Sequence, residues 1–251
     1  MLEAAGVDVR FGGVRAVSQV TLSVARQQIV GLVGPNGSGK STFLNALTGV
    51  VPAAGSLRVD GRPVRLGRPA QSHAAGVLRT YQTPQIYTAL SCVENVMLAM
   101  TPRRWKGVGS ALAIRPRMIA AERDRYRRAQ LMLTRVGLAD FAGTPAAGLS
   151  YGDRRMLEVA RALAGEPKVL LLDEPSAGLN EQETAHVSAI LSEFRAEGLT
   201  LLVVDHKIEF VSELCDRVVV LALGQVIAAG EPADVWRDQQ VIDAYLGLED
   251  A

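Results

Sequence analysis

The sequence predicts an α/β fold: a core built on a parallel sheet, with an N-terminal antiparallel β subdomain and an inserted α-helical subdomain. Three observations point there. The apolar runs 28–33, 168–172 and 199–204 are too short for core helices and lack alternation, the pattern of strands buried on both faces of a parallel sheet. Near the start, two β segments, 4–11 and 17–24, flank Gly12-Gly13, and Val20, Leu22 and Val24 alternate as in a half-buried hairpin. From Ser91 the pattern changes to helical spacing at Val93, Val96, Met97 and Met100, and after an interruption at 102–109 a helix rich in Arg and Glu resumes from Met118 to Val136.

The stretch Gly34-Pro35-Asn36-Gly37-Ser38-Gly39-Lys40-Ser41-Thr42 gives the core its chemistry, because it satisfies the G-x-x-x-x-G-K-[ST] phosphate-loop pattern in full. Its glycines let successive amides turn inward as an anion nest. Lys40 reaches the β and γ phosphates, Ser41 offers a hydroxyl to Mg²⁺, and a helix over 42–47 aims its positive dipole end at the phosphates. A strand before and a helix after are the required context. The core is therefore expected to be a P-loop nucleotide-binding fold.

Composition narrows the function classes. A chain of 251 residues is long enough to bury a large α/β core. Its formal charge of +1 gives no sequence-wide attraction to nucleic acid or to an acidic membrane surface. Cys92 and Cys215 stand far apart without metal-ligand spacing, so buried free thiols in a reducing compartment are expected. Neither a signal peptide nor an apolar window of about eighteen residues occurs, so a protein that is neither exported nor membrane-spanning is expected. Any membrane role would come from docking.

Along the chain, Phe11 is the first residue of interest: its ring suits stacking on an adenine, although periodicity alone reads it as core. Residues 52–64 read as another hairpin, with turns at Gly55 and Asp60-Gly61. The run 76–82 ends a strand on Gln82, either an ordinary turn amide or a ligand to Mg²⁺ or the attacking water. Arg103, Arg104 and Lys106 around Trp105 form a basic patch, read as a solvated loop or as a contact for a partner or lipid headgroups. Ser150 and Asp153 fit a capping box at the start of a helix whose apolar face is Met156, Leu157, Ala160, Leu163 and Ala164. That helix end is either an ordinary cap or a phosphate site.

The run 168–172 delivers Asp173 and Glu174 to the C-terminal edge of a strand, where α/β sheets bind ligands. One carboxylate can hold Mg²⁺ through water while the other accepts a proton from an attacking water. After Ser176-Ala177-Gly178-Leu179, Asn180 and Glu183 cap a further helix. The strand 199–204 ends at Asp205-His206, where the histidine can sense a γ-phosphate; His73 and His186 read as bystanders. The last third, strands 217–223 and 225–229 and a helix 232–245, completes the fold.

The order of phosphate loop, Gln82, Leu149-Ser150-Tyr151-Gly152, Asp173-Glu174, Ser176 to Asn180 and His206 resembles that of an ABC-type ATPase across essentially the whole chain. Phe11-Gly12-Gly13, Arg79-Thr80-Tyr81-Gln82, Tyr151, Ala177-Gly178-Leu179-Asn180 and Ala244-Tyr245-Leu246-Gly247 further resemble the ATP-binding subunits of branched-chain amino acid importers. The resemblance implies one nucleotide-binding domain over 1–251 with a helical insert at 88–165. It implies ATP and Mg²⁺ as ligands, Phe11 as adenine stacker, residues 34–42 as phosphate cradle, Ser41 and Gln82 as metal contacts, and Asp173 as a metal-holding residue acting through water. Glu174 is then the general base, with Lys40, Gln82 and His206 as catalytic partners. Two copies, identical or paralogous, would sandwich ATP head to tail, so Ser150, Gly152 and Asn180 of one copy would close the other's site.

The implied partners are two integral-membrane permease subunits and, indirectly, a soluble solute-binding protein, with no nucleic acid. The implied place is the cytoplasmic face of the inner membrane, peripherally bound. Related systems for urea, short amides or lipopolysaccharide share these motifs, and a soluble ABC ATPase is the alternative outside transport. Two positions depart from the family pattern: Asp153 where relatives often carry glutamine or glycine, and Glu181 where many carry proline. An Asp153 carboxylate aimed at phosphate would weaken closure; one that caps its helix would not.

Overall fold

The structure is a computed structural model that describes residues 1–100 and 111–246, without side chains for 111–118 and 246. The chain divides into two compact units, 1–82 with 167–251 and 83–166. The sequence predicts a helical insert at 88–165; the second unit begins directly after Gln82 and ends at Glu166. The basic patch at Arg103, Arg104, Trp105 and Lys106, like Gly247, lies outside the described residues.

The first unit holds two sheets. Strands β1 (Leu2–Phe11), β2 (Val14–Val24), β4 (Ala54–Val59) and β5 (Arg62–Val64) form an antiparallel sheet in the order β2-β1-β4-β5. A six-stranded sheet runs β10-β9-β3-β8-β7-β6, from β3 (Ile29–Val33), β6 (Val77–Arg79), β7 (Val169–Asp173), β8 (Thr200–Val204), β9 (Arg217–Ala222) and β10 (Gln225–Gly230). All neighbours in it are parallel except β9 and β10. Strands β3, β7 and β8 are buried at every position, which is why their sequences are continuous rather than alternating. Helix α1 (Lys40–Leu47) contributes Phe43, Leu44, Ala46 and Leu47 to one core shared with β1, β2, β4 and the central strands. Fully burying each of those larger side chains stabilises the fold by about 1.5–3 kcal/mol.

Helices α2 (Pro69–Ala74), α6 (Glu181–Ala196), α7 (Ile208–Leu214), α8 (Pro232–Val235) and α9 (Gln239–Leu246) complete this unit. The single helix expected over 232–245 is two, because Asp238 restarts the backbone: its carboxylate accepts from Gln240 N–H and its carbonyl from the Val241 and Ile242 amides. Strand β6 is also shorter than the run that suggested it: Thr80 N–H still donates to β7, at Leu171 O, and Tyr81 and Gln82 are loop.

The second unit is helical: α3 (Cys92–Ala99), α4 (Ala111–Arg135) and α5 (Tyr151–Ala164), with short 3₁₀ turns at 139–141 and 146–148 between α4 and α5. Ser91 and Glu94 form a full capping box at the start of α3, which places Val93 and Val96 inward. Asn95, fully buried, spends its amide on backbone oxygens of Tyr87, Leu90 and Ser91 and accepts from the Tyr87 N–H, fixing the turn before α3. Cys92 and Cys215 are buried free thiols, and burial pushes the Cys215 thiol up to about 12. No helix among the described residues is long and apolar enough to cross a membrane.

Candidate active site

Register brings the chemistry together. Asp173 pairs with Val204 across β7 and β8, and Leu32 pairs with the same Val204 across β3 and β8. The C-terminal ends of β3, β8, β7 and β6 therefore lie side by side, and each carries a motif into the same edge. The phosphate loop follows β3, Asp205-His206 follows β8, Asp173-Glu174 closes β7, and Gln82 lies three residues past β6.

The phosphate loop is shaped by backbone requirements. Gly34 and Gly39 have φ of 143° and 101°, and a Cβ at either would run into a backbone carbonyl, of Leu221 or Ala16 respectively. No other residue fits these positions. The turn between β9 and β10 braces the loop from outside: Gly224 N–H donates to Ser38 O at 2.9 Å, and Gly224 O accepts from Ser18 N–H at 2.8 Å. Lys40, almost fully buried, donates from Nζ to Gly34 O (2.8 Å), Pro35 O (2.9 Å) and Ser38 Oγ (3.4 Å). Burial holds its ammonium below the usual lysine range, with Glu174 and Asp173 opposing that shift. Asn36, Gly37 and Ser41 are exposed, so the loop presents amides and a hydroxyl outward.

Glu174 is held from two sides. His206 Nε2 lies 2.6 Å from Oε1 and Gln82 Nε2 donates to Oε2 at 2.9 Å. The residue has φ of 50°, and its own N–H donates to Val204 O at 2.7 Å, so the backbone turns sharply at the strand end to aim the side chain. Asp173, in contrast, is buried: Oδ2 accepts from the Arg79 guanidinium at 2.6 Å, while Oδ1 is buried with no hydrogen-bond partner. Phe11 is half exposed at the β1–β2 turn and is no core residue, because the strand leaves the shared core after Val9 and places the ring past its edge.

The segment after Glu174 is anchored by residues that sequence patterns did not single out. Asp205 is buried and accepts from Ser176 N–H and Oγ–H and from the amides of His206 and Lys207. Lys207 donates to Leu179 O and Thr184 Oγ1. Asn180 caps α6 with a complete box to Glu183, and Glu181 sits in its acidic first turn, so a glutamate there suits the helix dipole without disturbing the cap. Burial pushes the Tyr245 phenol on α9 above its usual range, against a hydrogen bond from the Gly34 amide.

In the second unit, Ser150 is the exposed N-cap of α5 and Gly152 is buried within its first turn. The expected capping box is half formed. Ser150 Oγ accepts from Asp153 N–H at 3.1 Å, but the Asp153 carboxylate takes the Ser150 hydroxyl at 2.7 Å rather than the Ser150 amide. Aspartate is one methylene too short for the reciprocal bond that glutamate makes. Further down the helix, buried Arg155 pairs with Glu158 at 3.0 Å, and Glu158 accepts from Gln85 N–H at 3.1 Å. This ionic pair inside an otherwise apolar helix face left no periodic trace.

Comparisons with known proteins identify the family and the fold. The profile of the ABC transporter family matches residues 17–177, and that of the branched-chain amino acid ATP-binding cassette transporter matches 225–251. The chain is 37% identical over 250 residues to the high-affinity branched-chain amino acid transport ATP-binding protein BraF of Pseudomonas aeruginosa, covering 98% of both. It has the same identity and coverage with the corresponding LivG protein of Escherichia coli. Among solved structures, a nucleotide-free ATP-binding cassette from an ABC transporter superposes with a TM-score of 0.85 at 28% identity, covering 98% of both chains. A bacterial ABC transporter cassette solved as a dimer superposes at 0.77 and 25% identity, over 92% of this chain and 99% of that one. From phosphate loop to C-terminal helix, the chain belongs to the ABC transporter family of ATP-binding cassettes.

Proposed function

We propose that this chain is the ATP-hydrolysing subunit of an importer for branched-chain or other hydrophobic amino acids, bound peripherally at the cytoplasmic face of the inner membrane. The observation that carries the hydrolytic part is Glu174, suspended between Gln82 and His206 at the edge where the phosphate loop also ends. The transport part rests on likeness along the full length of proteins named for branched-chain amino acid transport.

In this reading Phe11 stacks on the adenine and residues 34–42 wrap the phosphates, with Lys40 moving from the loop carbonyls to the β and γ oxygens. Magnesium suits the donor set, since a hydroxyl, an amide oxygen and a carboxylate are hard oxygen ligands and Asp173 Oδ1 is a buried oxygen without a protein partner. Ser41, Gln82 and Asp173 would hold the ion, which supplies neutralisation of phosphate charge. Glu174 takes a proton from water as the water oxygen bonds the γ-phosphorus. The bond from phosphorus to the β–γ bridging oxygen breaks, leaving ADP and inorganic phosphate. His206 holds Glu174 through Nε2 and would contact the γ-phosphate. Ser150, Gly152 and Asn180 complete the site of a second copy or a paralogue, so the active unit is a head-to-tail dimer whose closure acts on two permease subunits fed by a soluble solute-binding protein. Residues 83–166 act as the insert of a single nucleotide-binding domain, not as a separate module.

The test is affinity capture of tagged Glu174→Gln protein, with ATP and Mg²⁺, from detergent-solubilised native membranes. Expected are retained ATP, turnover lowered about a hundred-fold or more and co-purification of two multi-span permeases. Wild-type turnover would remove Glu174 as the base, and capture of soluble proteins alone would overturn the transport reading.

A further inference from the structure

We propose that Arg79 is a positioning residue that presents one oxygen of Asp173 to the metal and couples that carboxylate to the loop bearing Gln82. The inference rests on the ATPase reading above and adds a residue to it. Arg79 is the last residue of β6 and lies in register with Leu171 of β7, two positions before Asp173. Its side chain is 5% exposed and that of Asp173 is 4% exposed, so this is an ion pair withdrawn from water.

The fork of the guanidinium is divided between two elements. Nη2 donates to Asp173 Oδ2 and Nη1 to Asn45 Oδ1, each at 2.6 Å. Asn45 lies on α1, the helix that begins at Lys40. One planar group thus spans the phosphate-loop helix, the carboxylate strand and the strand leading to Gln82. Holding Oδ2 this way fixes the carboxylate plane and leaves Oδ1, the buried oxygen without a partner, as the one that can face a cation. Losing the arm to Asp173 frees the carboxylate to rotate, and losing the arm to Asn45 loosens the guanidinium that holds it; a lysine supplies charge from a single point and cannot hold both acceptors in a plane.

The link to Gln82 runs through Tyr81. The Arg79 guanidinium lies over the Tyr81 ring at 5.1 Å from its centroid, and Tyr81 is 42% exposed and directly precedes Gln82. A shift of the loop at 80–82 therefore pulls on the same guanidinium that orients Asp173. By this arrangement the posture of a metal-holding oxygen depends on the position of the loop next to it.

The experiment titrates Mg²⁺ against binding of a fluorescent ATP analogue to the full chain, wild type, Arg79→Lys and Asn45→Ala, with a parallel titration in EDTA and a melting curve for each. Arg79→Lys is expected to raise the Mg²⁺ concentration for half-maximal tightening about ten-fold or more, with nucleotide affinity in EDTA unchanged. Asn45→Ala, which removes one arm only, is expected to raise it by a smaller factor, and serves as the deciding variant if Arg79→Lys does not fold. A wild-type Mg²⁺ requirement in the deciding variant overturns the inference while leaving the ATPase reading in place. Absence of any Mg²⁺-dependent tightening in the wild-type protein overturns the ATPase reading itself.

Discussion

The two units of this chain hold their candidate site residues in opposite ways. In the first, the functional groups grip one another: Lys40 is folded onto the loop carbonyls, Asp173 is locked by Arg79, and Glu174 is held between Gln82 and His206. In the second, Ser150 bonds, among the described residues, within its own helix cap and stays exposed. The first unit carries a site with most of its partners already present. The second carries, at the start of α5, a polar helix end whose hydroxyl is claimed by an acidic neighbour. A site split in this manner fits a cassette in which one copy supplies the chemistry and another the closing contact.

Replacing Lys40 should break this comparison most severely. Lys40→Ala removes three hydrogen bonds that hold the loop and the cation that would face the phosphates. Charge-assisted bonds contribute about 1.5–3 kcal/mol each, so affinity for ATP should fall by about a hundred-fold or more. The melting temperature should change little, because the variant also sheds a buried charge. Titration with a fluorescent nucleotide next to a thermal melt separates the two effects. Unaltered affinity would mean that the glycine-shaped amides alone bind the phosphates.

Asp153→Asn probes the other side of the comparison with a smaller expected effect. Neutralising Asp153 converts a charge-assisted bond to Ser150 into an ordinary one and takes a negative charge away from the start of α5. The difference between those bond classes is about 1 kcal/mol, which predicts ATP turnover about five-fold higher when closure over ATP limits the rate. Steady-state phosphate release measures it. Turnover at or below the wild-type rate would show that the carboxylate serves the helix cap and does not restrain Ser150.

The same contrast explains what was legible in the sequence. Continuous apolar runs placed β3, β7 and β8, and the glycine spacing placed the phosphate loop, because burial on two faces and close backbone approach leave compositional marks. The order of motifs named Gln82, Glu174 and His206, which the parallel register brings to one edge. Arg79, Asn45, Asp205 and Lys207 were not legible as a set. Each is an ordinary polar residue with a partner 23 or more positions away, as with Thr184 and Lys207, Ser176 and Asp205 or Arg79 and Asp173. Local patterns carry no record of such pairings. Phe11 shows the converse: its place in an alternating strand suggested core, but the strand had already run past the core that its earlier residues fill.

The smallest expected effect asks whether tight ionic anchoring belongs to the first unit as a whole or only to its site. Asp8, on β1 and apart from the phosphate loop, accepts from Arg15 Nε at 2.7 Å and from Arg10 Nε at 3.3 Å, and Gln19 adds a weaker contact. These bonds, Arg15 foremost, hold its carboxyl down to about 2. In the second unit Glu94 is also lowered, chiefly by the Ser91 hydroxyl. A carboxyl depressed on folding contributes stability that is complete above its unfolded value and disappears as pH falls through its folded value. For Asp8 that window runs from about pH 4 down to about pH 2. Acid melting curves of Asp8→Asn should therefore lie below wild type at neutral pH and converge with it across that window, whereas Glu94→Gln should show a weaker version of the same convergence. Parallel curves for Asp8→Asn would confine the tight anchoring to the nucleotide edge, where Lys40, Asp173 and Glu174 already account for it.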